Sequence, residues 1–122
     1  MSPLPNAKID LEELARTIGW TEKHADYVIV TQRTIAVVEE TKTAKKDDIE
    51  KLDKTIEAIR NGPLKNHMPK SDRIIAIIHA EKRTDPMIPK LILSRNNANT
   101  IYRIANCDEK LREILKQHGL DP

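Results

Sequence analysis

The chain has 122 residues, 39% of them hydrophobic and 33% charged, and its 21 basic and 19 acidic side chains leave a formal charge of +2. That length suits one domain with a core of modest size, and a charge so near balance carries no global signal for nucleic acid. A single cysteine, Cys107, excludes an internal disulfide and a multi-cysteine metal site and suggests a reducing compartment. Aromatic residues are 2% and Phe is absent, so the core must be built from Ile, Leu and Val, and stacking of bases on aromatic platforms is not an expected mode of recognition. Neither a signal peptide nor an apolar run of transmembrane length is present, so a cytoplasmic location without a membrane partner is expected.

Residues 1–8 read as a flexible tail. Asp10 is a good helix N-cap with Glu13 at the capping-box position, and Leu11, Leu14, Ala15 and Ile18 give one apolar face before Gly19, so the spacing predicts a helix over 11–18. A six-residue connection, Trp20 to Ala25, leads to two β-branched runs, Tyr27-Val28-Ile29-Val30 and Ile35-Ala36-Val37-Val38, separated by polar residues as in a strand pair. Ile49, Leu52, Ile56 and Ile59 then recur at helical spacing up to Asn61-Gly62-Pro63, predicting an amphipathic helix over about 45–60. Ile74 to Ile78 shows no alternation and reads as a central strand covered on both faces. Leu91-Ile92-Leu93 and Ile101 to Ile104 read as shorter strands, and Asn106 with Glu109 opens a last helix that carries Leu111, Ile114 and Leu115. The order α-β-β-α-β-β-β-α argues one α/β domain over 1–122, a three-layer sandwich with a mixed sheet.

The strand pair carries the chemistry. Asp26 opens its first strand, and Glu40-Thr41-Lys42 closes its second, with Glu40 and Lys42 on one face and Glu39 and Thr41 on the other. An antiparallel hairpin brings Asp26 to the end where these residues lie. Two carboxylates there form a hard oxygen pocket suited to Mg²⁺ or Mn²⁺, and a lysine beside them orients water or stabilises charge on a phosphate, the elements of metal-assisted phosphodiester hydrolysis. Glu39 competes with Glu40 for the second carboxylate. If Glu39 faces inward, its partner at i+2 is Thr41 and Lys42 points away.

An acid at a strand start, a β-turn-β, an acid-x-Lys triplet, a helix and a hydrophobic strand together resemble the PD-(D/E)XK nuclease superfamily, and within it the small archaeal Holliday junction resolvases, over residues 26–80. The resemblance implies a restriction-endonuclease-like fold and a Mg²⁺- or Mn²⁺-dependent endonuclease acting on DNA, with Asp26 and Glu40 as metal ligands and Lys42 assisting the attacking water. It also implies, with the small size of the chain, a homodimer. The sequence departs from the family pattern in three ways: Ala25 stands where the family has proline, the Trp20–Ala25 connection hardly holds the additional strand that usually precedes the aspartate, and Glu12 and Glu13 are offered at short spacing for an acid on the first helix.

The nucleic-acid contacts expected at the rim are Lys45, Lys46, His79, Lys82 and Arg83. For His79 the plainer account is a half-buried, hydrogen-bonded ring. His24, His67 and His118 have no ligand spacing. The competing function is a non-catalytic module that binds protein or nucleic acid on the same scaffold, with Glu39, Glu40 and Lys42 as a solvated strand end.

Overall fold

Two β-branched runs pair because their side chains pack on both faces of a sheet. Tyr27–Val30 (β2) lies antiparallel to Thr34–Ala44 (β3), with Tyr27 opposite Val38 and Val30 opposite Ile35. The computed structural model describes residues 7–31 and 33–120. Ala7–Asp10 (β1) adds to the free edge of β2, and Arg73–Thr84 (β4) and Thr100–Ala105 (β5) follow β3 in parallel, giving one five-stranded mixed sheet of order β1-β2-β3-β4-β5. Four helices cover it: Leu11–Ile18 (α1), Lys46–Asn61 (α2), Ile88–Arg95 (α3) and Asp108–Gln117 (α4).

The two faces carry separate cores. Val28, Ile35, Val37, Ile74, Ala76 and Ile78 pack against α1, α2 and α3 through Leu11, Leu52 and Ile88. Ile29, Ala36, Val38, Ile75 and Ile77 pack under α4 through Ile114 and Leu115. The result is a three-layer α/β sandwich. Because β3 and β4 are covered on both sides, their apolar runs do not alternate. Among the described residues no helix is long and apolar enough to cross a membrane.

Two elements differ from the sequence-based expectation. The chain order is β-α-β-β-α-β-α-β-α rather than α-β-β-α-β-β-β-α. Ala7 and Lys8, expected in a flexible tail, belong to β1, whose register sets Ala7 opposite Val30 and Asp10 opposite Tyr27. Four residues carry too short an alternation to announce a strand, yet they suffice at a sheet edge, and the Lys8 ammonium lies 4.2 Å from the centre of the Tyr27 ring. Residues 1–6 lie outside the described residues.

Leu91-Ile92-Leu93 is helical, not a strand. A run of three apolar residues has no readable period, and its neighbours decide: Pro89 suits a first helical turn, while Ile88 and Ile92 are buried at i, i+4. Helix α1 is bounded as its sequence dictates. The Asp10 carboxylate accepts from the Glu13 N–H at 3.0 Å, and Gly19 follows at φ 75°, a left-handed conformation that a side chain would strain.

Candidate active site

The register of the β2–β3 hairpin decides which acid Asp26 meets. With Tyr27 opposite Val38, Asp26 falls opposite Glu39, and residues directly opposite each other share a face. Glu39 is 2% exposed, on the face covered by α2. Burial pushes its carboxyl up to about 8; the Lys51 ammonium opposes the rise, and the nearby Asp26 carboxyl adds to it. Lys51 Nζ, from the second turn of α2, donates to Glu39 Oε2 at 3.0 Å. Glu39 Oε1 is buried and, among the described residues, has no hydrogen-bond donor facing it.

Asp26 is held by backbone on three sides. Its N–H donates to the Val38 carbonyl at 3.1 Å, its own carbonyl accepts from Leu11 N–H at 3.0 Å, and its Oδ2 accepts from the Glu40 N–H at 2.7 Å. The residue before it is fixed from α2: Ala25 N–H donates to Thr55 Oγ1 at 2.8 Å, in a buried position, while the Thr55 hydroxyl donates to the Lys51 carbonyl. Proline at position 25 would remove that donor and leave Thr55 Oγ1 without it, which gives the alanine a physical reason. Thr55→Val, nearly the same shape, is expected to cost roughly 1–3 kcal/mol by leaving the Ala25 N–H buried without an acceptor. A drop in the thermal midpoint measures it, and an unchanged midpoint would deny Thr55 this positioning role.

The charges around the pair alternate. Lys23 bonds Asp47 and lies 3.5 Å from Glu50 Oε2, and Asp47 Oδ2 is 3.9 Å from Lys51 Nζ. The pairing raises the pKa of Lys23 and lowers that of Asp47, and the hydrogen bond to Glu39 raises that of Lys51. The ammonium beside the two acids therefore stays charged throughout the neutral range. Asp48 is withdrawn from the site, because its Oδ2 caps the helix by accepting from the Lys45 N–H at 2.9 Å.

Glu40 and Lys42 both line a cleft on the opposite face of the sheet, where a bulge between Thr41 and Thr43 interrupts the strand's alternation. Glu40 reaches toward His79 and Tyr27, and with Thr41, Lys42, Glu81 and Asp108 it lines a polar cleft on the α4 side. The expected trio Asp26, Glu40 and Lys42 is thus divided: the hydrogen bond Asp26 accepts from Glu40 comes from its backbone N–H, while the Glu40 carboxylate faces His79. The trio brought together is Asp26, Glu39 and Lys51. Thr41, at i+2 from Glu39, donates its hydroxyl to the Thr43 carbonyl.

His79 does not fit a phosphate contact. Its ring is half-buried, with Nε2 3.3 Å from Asp108 Oδ1 and Nδ1 3.9 Å from Glu40 Oε1, so two carboxylates flank it and would repel a phosphate. Lys45, Lys46, Lys82 and Arg83 are exposed at the same end of the sheet as the acids. Sequence reasoning missed Lys51 and Thr55. Their signal was present as a Lys and a Thr at i, i+4 beside the apolar stripe of α2, a spacing that puts both over the same patch of sheet. Comparison with protein-family models, with curated proteins and with solved structures finds no match to this chain.

Proposed function

We propose that the protein is a divalent-metal-dependent nuclease that hydrolyses phosphodiester bonds in DNA, with Asp26 and Glu39 as the carboxylates that hold Mg²⁺ or Mn²⁺ and Lys51 as the cation beside them. The observation that carries this reading is the meeting of Asp26 and Glu39 on one face, with Glu39 Oε1 buried and without a donor among the described residues. A buried acceptor without a donor is costly, and two carboxyls that oppose each other's ionisation are relieved by a cation. The fit is a two-carboxylate one. Among the described residues no group of three or more His, Cys, Asp or Glu side chains is arranged to hold a metal ion, and a small hard cation needs only one or two carboxylates when water and substrate phosphate complete its shell. When bound, such an ion polarises the phosphate and lowers the pKa of water.

The chain's own residues supply the rest. The Glu40 N–H fixes one Asp26 oxygen and leaves the other for the site. Lys51 occupies Glu39 Oε2, which leaves Oε1 to hold the ion, and its ammonium would offset the negative charge that grows on a phosphate bound beside the two acids. The lysine thus comes from the helix and not from the strand.

The test is cleavage of supercoiled plasmid with Mg²⁺ or Mn²⁺ and with EDTA, using wild type, Asp26→Ala, Glu39→Gln and Glu40→Gln. Metal-dependent cutting that is lost in the first two variants and kept in Glu40→Gln is the expected result. Absence of cutting by wild type, or cutting that survives Asp26→Ala and Glu39→Gln, would move the protein to the non-catalytic binding module.

A further inference from the structure

At the end of the sheet away from Asp26 and Glu39, β3 and β4 begin side by side at Thr34 and Arg73, and the chain returns from α2 to β4 through residues 62–72. That return is held at several points. Gly62 lies so close to α2 that a Cβ on it would stand 2.8 Å from the Ala58 Cα, and Leu64 is fully buried. The Ser71 hydroxyl lies 2.7 Å from the Arg33 carbonyl oxygen and 2.6 Å from that of Arg73. A loop so anchored still leaves a cleft of about 340 Å³ between itself, the last turn of α2 and the start of the two strands.

The cleft is amphipathic. Its inner wall is aliphatic, built from Ile35, Ile59, Met68 and Ile74 of the core. Its rim carries Arg60, Lys65 and Lys70. Asp72, the only acid of the return, does not line it, and neither does Glu57, which accepts from Asn61 Nδ2 at 3.3 Å. Lys65 and Lys70 are exposed, and neither has a side-chain hydrogen bond or ion pair among the described residues. Arg60 is pinned: its Nη2 donates to the Asn99 carbonyl at 3.1 Å and to the Thr100 hydroxyl at 2.7 Å, while Nε and Nη1 have no acceptor among the described residues.

The C-terminal end of a helix attracts cations, which accounts for Arg60 in the last turn of α2. It does not account for Lys65 and Lys70. They stand beyond the cap, where the Ala58 carbonyl already accepts from the Gly62 and Leu64 N–H groups and the field of the helix has fallen off.

We propose that this cleft binds a small amphipathic anion: an apolar body against the aliphatic wall, and one carboxylate or phosphate head group among Arg60, Lys65 and Lys70. Three cations without a lining acid set the sign of the head group, and two ammonium groups beside a pinned guanidinium suit a carboxylate and a phosphate alike. The volume lies at the small end of the range for ligand clefts, which suits a single ring or a chain of about eight carbons. Because the cleft lies at the opposite end of the sheet from Asp26 and Glu39, this binding is independent of the nuclease reading.

The experiment is titration of the isotope-labelled full chain, followed by amide chemical shifts, with octanoate and with octyl phosphate below their micelle concentrations. Acetate lacks the apolar body and octylammonium reverses the charge, so these two are the controls. The proteins are wild type, a Lys65→Gln, Lys70→Gln variant, and a Lys82→Gln, Arg83→Gln variant that removes equal charge at the other end of the sheet; the spectra themselves report that each is folded. Expected are saturable shifts clustered on residues 59–61 and 64–74, with a Kd of about 1 mM or tighter for octanoate or octyl phosphate. Acetate and octylammonium are expected to bind at least about tenfold more weakly. The Lys65→Gln, Lys70→Gln variant is expected to lose about fivefold to tenfold, and the Lys82→Gln, Arg83→Gln variant nothing. Either order of the two anions supports the proposal, and the tighter one assigns the head group. Shifts centred elsewhere or scattered over the surface, octylammonium binding as tightly as octanoate, or an equal response of the two variants would overturn it. Shifts of the same amides by a short DNA duplex, with no saturation by either anion, would overturn it and give the basic rim to nucleic acid.

Discussion

Replacement of Lys51 by methionine is expected to lower metal-dependent cleavage by about 10²–10³-fold, the size of loss seen when one preorganised group that stabilises developing charge is removed. Lys51 Nζ is 3.0 Å from Glu39 Oε2 and comes from the rigid second turn of α2, whose Thr55 also fixes the residue before Asp26. Lys51→Arg keeps the charge but replaces a compact ammonium with a longer planar fork, so it is expected to restore part of the rate. A structural role alone would lower the rate evenly across pH. Loss of the ammonium that holds the Glu39 carboxyl down predicts instead that the pH profile of Lys51→Met moves alkaline, because Glu39 then gives up its proton at higher pH. Full activity in Lys51→Met with loss in Lys42→Met would return the lysine role to the strand and sink the assignment to the α2 face.

How far the sequence revealed this site depended on parity. Asp26, the hairpin and the acids at the far end of its second strand were legible, because β-branched runs and polar interruptions are local signals. The choice between Glu39 and Glu40 was not. Ile35, Ala36, Val37 and Val38 are all fully buried, so the strand has no polar face to set the phase of the residues that follow. Register supplies the phase: Tyr27 opposite Val38 leaves Asp26 opposite Glu39. The appealing acid-x-Lys triplet then points to the other side, toward His79 and Asp108.

The same distinction explains the fold. The helices over 11–18 and over about 45–60 were readable because caps and a 3.6-residue stripe are written within single segments. β1 was hidden because four residues become a strand only when the edge of β2 is there to receive them. Leu91-Ile92-Leu93 was misread because its period is set by Ile88, which lies outside the run. Lys51 belongs to the same class: α2 alone does not say which of its charged residues will stand over the buried acid on the strand just before it.

Stability of the wild-type protein is expected to fall as pH rises from about 6.5 to about 8, and Glu39→Gln is expected to abolish that fall. The Glu39 carboxyl has an ordinary value of 4.5 and is raised to about 8 in the fold. Between those values the folded chain holds a proton that the unfolded chain has released. Stability from this group is therefore fully present below 4.5 and is lost as pH climbs through about 8. Each unit between the two values corresponds to about 1.4 kcal/mol, so the fall between 6.5 and 8 is on the order of 2 kcal/mol. His118, held below its usual 6.5 by burial and by Arg103 and Arg73, acts in the opposite sense, but only below 6.5, which makes the interval above it the informative one. Urea unfolding at a series of pH values measures the slope. A flat or rising wild-type curve between 6.5 and 8, or a Glu39→Gln curve that still falls, would mean that Glu39 is not the buried acid. The amide keeps the shape of the side chain without the charge, so the variant that loses cleavage is also expected to be the more stable protein at alkaline pH. That trade is what a carboxyl retained in a buried position for its chemistry predicts.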